Sequence, residues 1–393
     1  MLGSGQYRER SDLVSDHRAI FLTIFDSHRL TRSLPLPVLT RSKFMQDVQI
    51  ANKLIGPQQP VFVIAEAGVN HNGDLKLARE LIDVAVDAGA DAVKFQTFRA
   101  DLLATPEAPK AEYQLQTTGS AESQFEMLRR LELSTDAHRE LQAYCNECGI
   151  IFLSTPFDEE SVDLLDALGV PAFKISSGDL TNSPLLEYVA GKGKPVILST
   201  GMSEISELIE AVSVLNLAGC ENPILLHCVS DYPADPAEIN LRAMQTMRAA
   251  FDLPVGFSDH TEGIDVSLAA VALGACVVEK HFTLDRTLPG PDHRASLEPA
   301  ELRQMIQSIR RIESALGNGR KAPTASEIET AKVARRSLFA SVDIPAGATL
   351  KREMVMMRRP GTGLSPAVLN SLLGQHAVRD IAAGTILEIE MFG

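Results

Sequence analysis

Cysteine is sparse in this 393-residue chain. There are five in all, and an odd number at this density does not make a disulfide framework. The N-terminal region lacks the long apolar stretch and small-residue cleavage site of a secretory signal, so the chain is read as cytoplasmic. Positive charge is short too: 37 Lys and Arg stand against 51 Asp and Glu, a formal net charge of −14. That balance excludes a general affinity for nucleic acid or anionic membranes, so any anionic ligand must meet a local cluster of cations. The apolar stretch over residues 266–278 falls short of the roughly 20 residues that span a bilayer. With 45% hydrophobic residues, the chain can bury a large core in two or three domains.

Cys145 and Cys148 form a C-x-x-C with no second pair to complete a zinc ribbon. Two ordinary thiols are the simpler reading beside a redox or metal site. Residues 1–44 mix Arg, Ser, His and Pro without a sustained period and read as a poorly structured extension, with Met45 as a candidate natural start. Beyond them, eight short apolar runs alternate with amphipathic stretches. The runs cover residues 61–66, 92–97, 150–155, 171–176, 195–200, 223–228, 254–259 and 276–281. In the stretch 299–316, Leu302, Met305, Ile306, Ile309, Ile312 and Leu316 mark one helical face. Strand then helix, eight times over, predicts an α/β fold of the (β/α)₈ barrel type across residues 45–316. The long connection 98–133 is an insertion on the side of the strand C-terminal ends, placed to form part of a lid. Residues 317–332 read as a linker, and 333–393 as a small, mostly β module.

In such a barrel chemistry sits where the strands end. Those ends carry Glu66; Lys94 and Gln96; Thr155; Lys174, Ser177 and Asp179; Ser199; His227; Ser258 and His260; Glu279 and His281. Strands buried on both faces should be apolar, so polar residues gathered at one end point to a shared site. His260 and His281 end neighbouring strands and suit one divalent ion, with hydrogen-bonded structural histidines as the plain alternative; His227 is a weaker third candidate. Lys94 and Lys174, with the hydroxyls of Thr155, Ser177 and Ser199, suit a phosphate pocket, or else an internal ion pair with Glu66 or Asp179. Glu66 can orient a sugar hydroxyl or move a proton once its pKa is tuned.

Eight strings occur in order: Ile64-Ala65-Glu66-Ala67-Gly68-Val69-Asn70-His71-Asn72-Gly73, Val93-Lys94-Phe95-Gln96-Thr97, Ser154-Thr155-Pro156-Phe157, Lys174-Ile175-Ser176-Ser177-Gly178-Asp179, Leu198-Ser199-Thr200-Gly201-Met202, Ser258-Asp259-His260-Thr261, Glu279-Lys280-His281-Phe282-Thr283 and Pro289-Gly290-Pro291-Asp292. Together they resemble the sialic acid synthase family, the nonulosonate synthases that include N-acetylneuraminate synthase. The resemblance covers residues 60–391. It implies a TIM barrel followed by an antifreeze-like (SAF) domain in a domain-swapped homodimer, with Arg359 reaching the partner's sugar site. It further implies condensation of phosphoenolpyruvate with an open-chain N-acylated mannosamine-type sugar, giving a nine-carbon α-keto acid and phosphate with C–O cleavage.

By the same resemblance Lys94, Lys174, Ser177 and Ser199, with Thr155 and Gln96 nearby, hold phosphoenolpyruvate, and Ser258 is a substrate-binding position. His260 and His281 hold manganese or magnesium, Glu66 binds the sugar and assists proton transfer, and Tyr232 and Asp292 contact the sugar. Asp179, expected with Glu66, Lys94 and Lys174 to be catalytic, stands where the best-known N-acetylneuraminate synthases have glutamate, and Ser230 where they have asparagine. N-acetylmannosamine is the expected acceptor; the alternative is a 2,4-diacetamido-6-deoxy sugar leading to legionaminic acid. A metal-dependent hydrolase on the same barrel and a non-catalytic carbohydrate- or ice-binding protein are the rivals from other classes.

Overall fold

A computed structural model describes residues 46–393; the expected extension over 1–44 and the start at Met45 lie outside the described residues. A hairpin of β1 (Val48–Ile50) and β2 (Lys53–Ile55) comes first. Each of the eight apolar runs then becomes a strand. These are β3 (Phe62–Gly68), β4 (Ala92–Thr97), β5 (Ile151–Pro156), β6 (Phe173–Ile175), β7 (Val196–Ser199), β8 (Ile224–His227), β9 (Val255–Asp259) and β10 (Val277–His281). All pairings among them are parallel, in the order β5-β4-β3-β10-β9-β8-β7-β6, and the end strands β5 and β6 lie against each other, so the sheet nearly closes into a barrel.

Local chemistry sets the rhythm. Asp74, Ser134 and Asp158 cap the helices Leu75–Ala88, Thr135–Cys148 and Glu159–Leu168 by accepting from backbone N–H groups of the first turn. Gly89, Gly149 and Gly169 end the same helices at φ of 84°, 76° and 77°, a left-handed turn that costs glycine little and sends the chain into the next strand. The outward strand faces pack on the helices as the largest core, which includes Val63, Val93, Phe173, Leu198 and Phe257. The inward faces near the strand starts form a second core of Phe62, Ile64, Leu153, Ile197, Ile224, Leu226 and Val277, against which the hairpin packs Val48, Ile50 and Ile55.

The insertion 98–133 folds into three short helices, Ala100–Leu103, Glu112–Thr118 and Gln124–Leu131. Met127 and Leu131 join Val69 and Phe98 in a separate apolar cluster, with Leu103, Leu128 and Phe157 against it. The stretch read as a linker holds a helix, Ala325–Ala334. It is exposed along its length, so no apolar period announced it, but Thr324 and Glu327 form a reciprocal capping box that starts it. The C-terminal module pairs β11 (Ser337–Ala340) with β12 (Val355–Arg358) antiparallel, around a core with Leu338, Ile344, Leu350, Leu372 and Leu387. Cys145 and Cys148 are free thiols, and burial pushes that of Cys145 up to about 12. Among the described residues no helix is long and apolar enough to cross a membrane.

Candidate active site

Alternation along the strands decides what faces the barrel mouth. Residues two apart share a face, so Lys94 and Gln96, Ser258 and His260, and Glu279 and His281 all turn inward and line one cavity of about 460 Å³. Thr155, Lys174, Ser177, Ser199, Tyr232 and Asp292 line it too. That volume suits small-molecule ligands.

The floor of the cavity is a buried charge cluster. Lys94 Nζ lies 2.8 Å from Glu66 Oε2 and 3.7 Å from Glu279 Oε2, and donates to Thr155 Oγ1 at 3.0 Å. Lys174 Nζ donates to Ser199 Oγ at 2.6 Å and lies 3.5 Å from Glu279 Oε1, which also accepts from Ser258 Oγ at 2.8 Å. All four charged residues are no more than 3% exposed. Burial at this depth costs several kcal/mol per ion, which ion pairing only partly offsets, so the cluster stands out as a functional arrangement.

Burial pushes the Glu66 carboxyl up to about 7 against the pull of Lys94, while Glu279 adds to the rise. Burial works in the same direction on Glu279, but Lys174 and Lys94 overcome it and hold that carboxyl at about 2. For Lys94 the two carboxylates outweigh burial and raise its pKa, whereas burial prevails for Lys174 and lowers it. One carboxylate is thus fixed as an anion and the other is poised near neutral pH. With Glu66 protonated, two cations face one anion, and the floor can accept a further negative group.

The expected ion pair of Lys94 with Glu66 is present, while the second carboxylate is Glu279 and not Asp179. Asp179 stays off the cavity and accepts from Ser176 Oγ at 2.6 Å and Asn182 Nδ2 at 3.4 Å, because the 3-10 turn Ser177–Asp179 bends back on itself. The catalytic part expected of Asp179 therefore has no geometric basis. Ser177 Oγ accepts from the Gly201 N–H at 2.9 Å, which aims the hydroxyl across the mouth. Arg359 is exposed in the C-terminal module and does not line the cavity. His227 Nε2 donates to Ile239 O at 2.6 Å, outside the central cavity. Glu279 had no assigned role, although its place two residues before His281 put it on the same inward face. Tyr113, Gln114 and Gln124 also reach the cavity from the insertion, which carries no period that would have marked them.

The two cavity histidines fit a divalent ion. His260 Nδ1–H donates to Val229 O, which fixes the tautomer and leaves Nε2 toward the cavity, 3.4 Å from Ser258 Oγ. His281 Nδ1 is buried without a hydrogen-bond partner. The ring centroids are 5.6 Å apart, and burial lowers both pKa values, that of His260 to about 4, so both rings are neutral as ligation requires. Among the described residues no group of three or more His, Cys, Asp or Glu is assembled for a metal, so water or substrate must complete the coordination of an ion bound here. Tyr232 covers the pair, its ring 4.1 Å from His260 and edge-on to His281 at 5.6 Å, with Tyr113 at 5.0 Å on its other side. Gly68 permits this crowding: its φ is 54°, and a Cβ there would meet Glu66 Oε1 and His281 Cε1 at 3.3 Å each.

Residues 81–321 match the NeuB family and residues 335–393 match the SAF domain. N,N'-diacetyllegionaminic acid synthase of Campylobacter jejuni is 51% identical over 320 residues, covering 81% of this chain and 96% of the relative. The synthase of the same name from Legionella pneumophila is 47% identical, covering 84% and 94%. In structure, the N-acetylneuraminic acid (sialic acid) synthetase of Leptospira borgpetersenii superposes with a TM-score of 0.65 at 39% identity, covering 74% of this chain and 96% of that one. The chain belongs to the NeuB family, on a TIM barrel with a C-terminal SAF domain.

Proposed function

We propose that the protein is an N,N'-diacetyllegionaminate synthase, condensing phosphoenolpyruvate with open-chain 2,4-diacetamido-2,4,6-trideoxymannose. The N-acetylmannosamine favoured on the resemblance gives way to this acceptor for two reasons. Two relatives of nearly full coverage carry that name. The observation that carries the reading is the contrast within the cavity. Its floor is cationic and hydroxyl-rich, whereas the insertion adds, beside Tyr113, Gln114 and Gln124, an apolar wall of Leu103, Met127, Leu128 and Leu131 next to Phe157. An apolar wall accepts a deoxy carbon and an acetyl methyl, and it leaves a sugar hydroxyl without a partner.

Lys94 and Lys174, with Thr155, Ser177 and Ser199, hold the phosphate and carboxylate of phosphoenolpyruvate, and Gln96 and Ser258 flank them. Carbon 3 bonds to the sugar aldehyde carbon, whose oxygen takes up a proton to become a hydroxyl. Water adds to the oxocarbenium carbon 2, and breaking the C2–O bond releases phosphate and leaves the α-keto acid. Glu66, poised near neutrality and paired with Lys94, is the group placed to exchange protons with the sugar or the water. A manganese or magnesium ion bound by His260 and His281 would supply Lewis-acid polarisation of the aldehyde. Tyr232 and Asp292 contact the sugar, and a second copy of the chain would supply Arg359 if the modules swap in a homodimer.

The test is phosphate release from phosphoenolpyruvate and manganese with each sugar in turn, with mass detection of the product. The diacetamido sugar is expected to exceed N-acetylmannosamine in kcat/KM by at least about 10-fold, the scale on which an apolar pocket discriminates. A preference for N-acetylmannosamine overturns the acceptor, and no phosphate from either sugar overturns the synthase.

A further inference from the structure

We infer that the buried pair Asp259 and Lys280 positions His260 and His281, setting the spacing of the two imidazoles. The inference rests on the reading of those imidazoles as metal ligands. In the β9–β10 register Ser258 faces Glu279 and Asp259 faces Lys280. Since faces alternate, Ser258, His260, Glu279 and His281 turn into the cavity, while Asp259 and Lys280 turn outward toward the helices. Phe257 and Val278 share those outward faces and belong, with Ala270 and Val271, to the large core between strands and helices.

Both side chains are fully enclosed, and Lys280 Nζ lies 3.0 Å from Asp259 Oδ2. The carboxylate also accepts from Thr261 N at 2.9 Å, Thr261 Oγ1 at 2.8 Å and Ser267 Oγ at 2.5 Å, and Lys280 Nζ donates to Thr261 O as well. The residues on both sides of His260 and the residue before His281 are therefore tied into one network. Ser267 anchors it to the helix Asp265–Ala272. The network spans the two strand ends that carry the imidazoles, whose centroids stand 5.6 Å apart.

Stability does not account for the pair, because well-packed apolar residues in place of a buried ion pair are often neutral or stabilising. Hydrogen bonds supply direction, which apolar packing does not. A metal site needs its donors held to within about 0.2 Å, and outer partners that orient the ligands are the usual means. Asp259 and Lys280 touch neither cavity nor substrate, so they are positioning residues.

The experiment titrates purified protein with manganese, reading free ion by electron paramagnetic resonance, and in parallel with phosphoenolpyruvate by calorimetry. Wild type should bind manganese, and His281→Ala should not. Asp259→Asn and Lys280→Met should each weaken manganese binding about 10- to 100-fold with phosphoenolpyruvate affinity held within about twofold, as expected for outer-sphere support. Ser267→Ala, which keeps the ion pair and is chosen to preserve the fold, should weaken manganese binding by about threefold or more on the same account. Unchanged manganese affinity in the folded variants overturns the inference, as does an equal loss of both affinities, which marks a merely structural pair. A wild type that binds no manganese overturns the metal reading beneath it.

Discussion

Near the starts of its strands the barrel interior is filled by Phe62, Ile64, Leu153, Ile197, Ile224 and Val277, with the hairpin side chains Val48, Ile50 and Ile55 against them. Nearer the ends of the same strands it holds Glu66, Lys94, Lys174 and Glu279 with two imidazoles. On β3 the change takes two residues, from Ile64 to Glu66 on the same inward face. One end is a dry core that stabilises the fold at no cost in unpaired polar groups. The other carries charges whose burial opposes folding and is explained by a ligand.

Exchanging chemistry between the ends should produce unlike losses. Lys174→Met strips Glu279, the carboxylate fixed as an anion, of one of its two buried cations, so a stability loss of about 3–5 kcal/mol is expected in chemical denaturation, with phosphoenolpyruvate binding lost as well. Ile224→Ala opens a cavity in the other end and should cost about 2–5 kcal/mol while leaving phosphoenolpyruvate affinity unchanged. Asp179→Asn, at a half-buried turn outside the cavity, should cost less than about 1.5 kcal/mol and leave kcat/KM for both substrates unaltered, since only local hydrogen bonds change. A large fall in turnover there would return Asp179 to the site.

Much of this contrast was legible in the residues. The apolar runs placed all eight barrel strands, because β-branched stretches bounded by Gly and Pro leave few alternatives. Lys94, Lys174, His260 and His281 stood out as polar residues at ends where burial on both faces demands apolar ones. Glu279 stood among the same strand-end residues but drew no role, although it shares the inward face of His281. Asp179 was misplaced because a turn after a strand end can bend a side chain away from the mouth, and periodicity does not extend into turns. The helix Ala325–Ala334 was missed since it buries no face, and its only mark was the cap at Thr324. Tyr113 and the apolar wall come from the insertion, whose contacts with the mouth are long-range and leave no local signature.

The central claim is that the strand ends, and not the core beneath them, are built around an anionic three-carbon substrate. Calorimetric titration of phosphoenolpyruvate into wild type, Ile224→Ala and Lys174→Met tests it directly. Wild type and Ile224→Ala should bind alike, and Lys174→Met at least about 30-fold more weakly, the loss expected when a buried charged partner is removed. Lys174→Met binding as tightly as wild type would contradict the account.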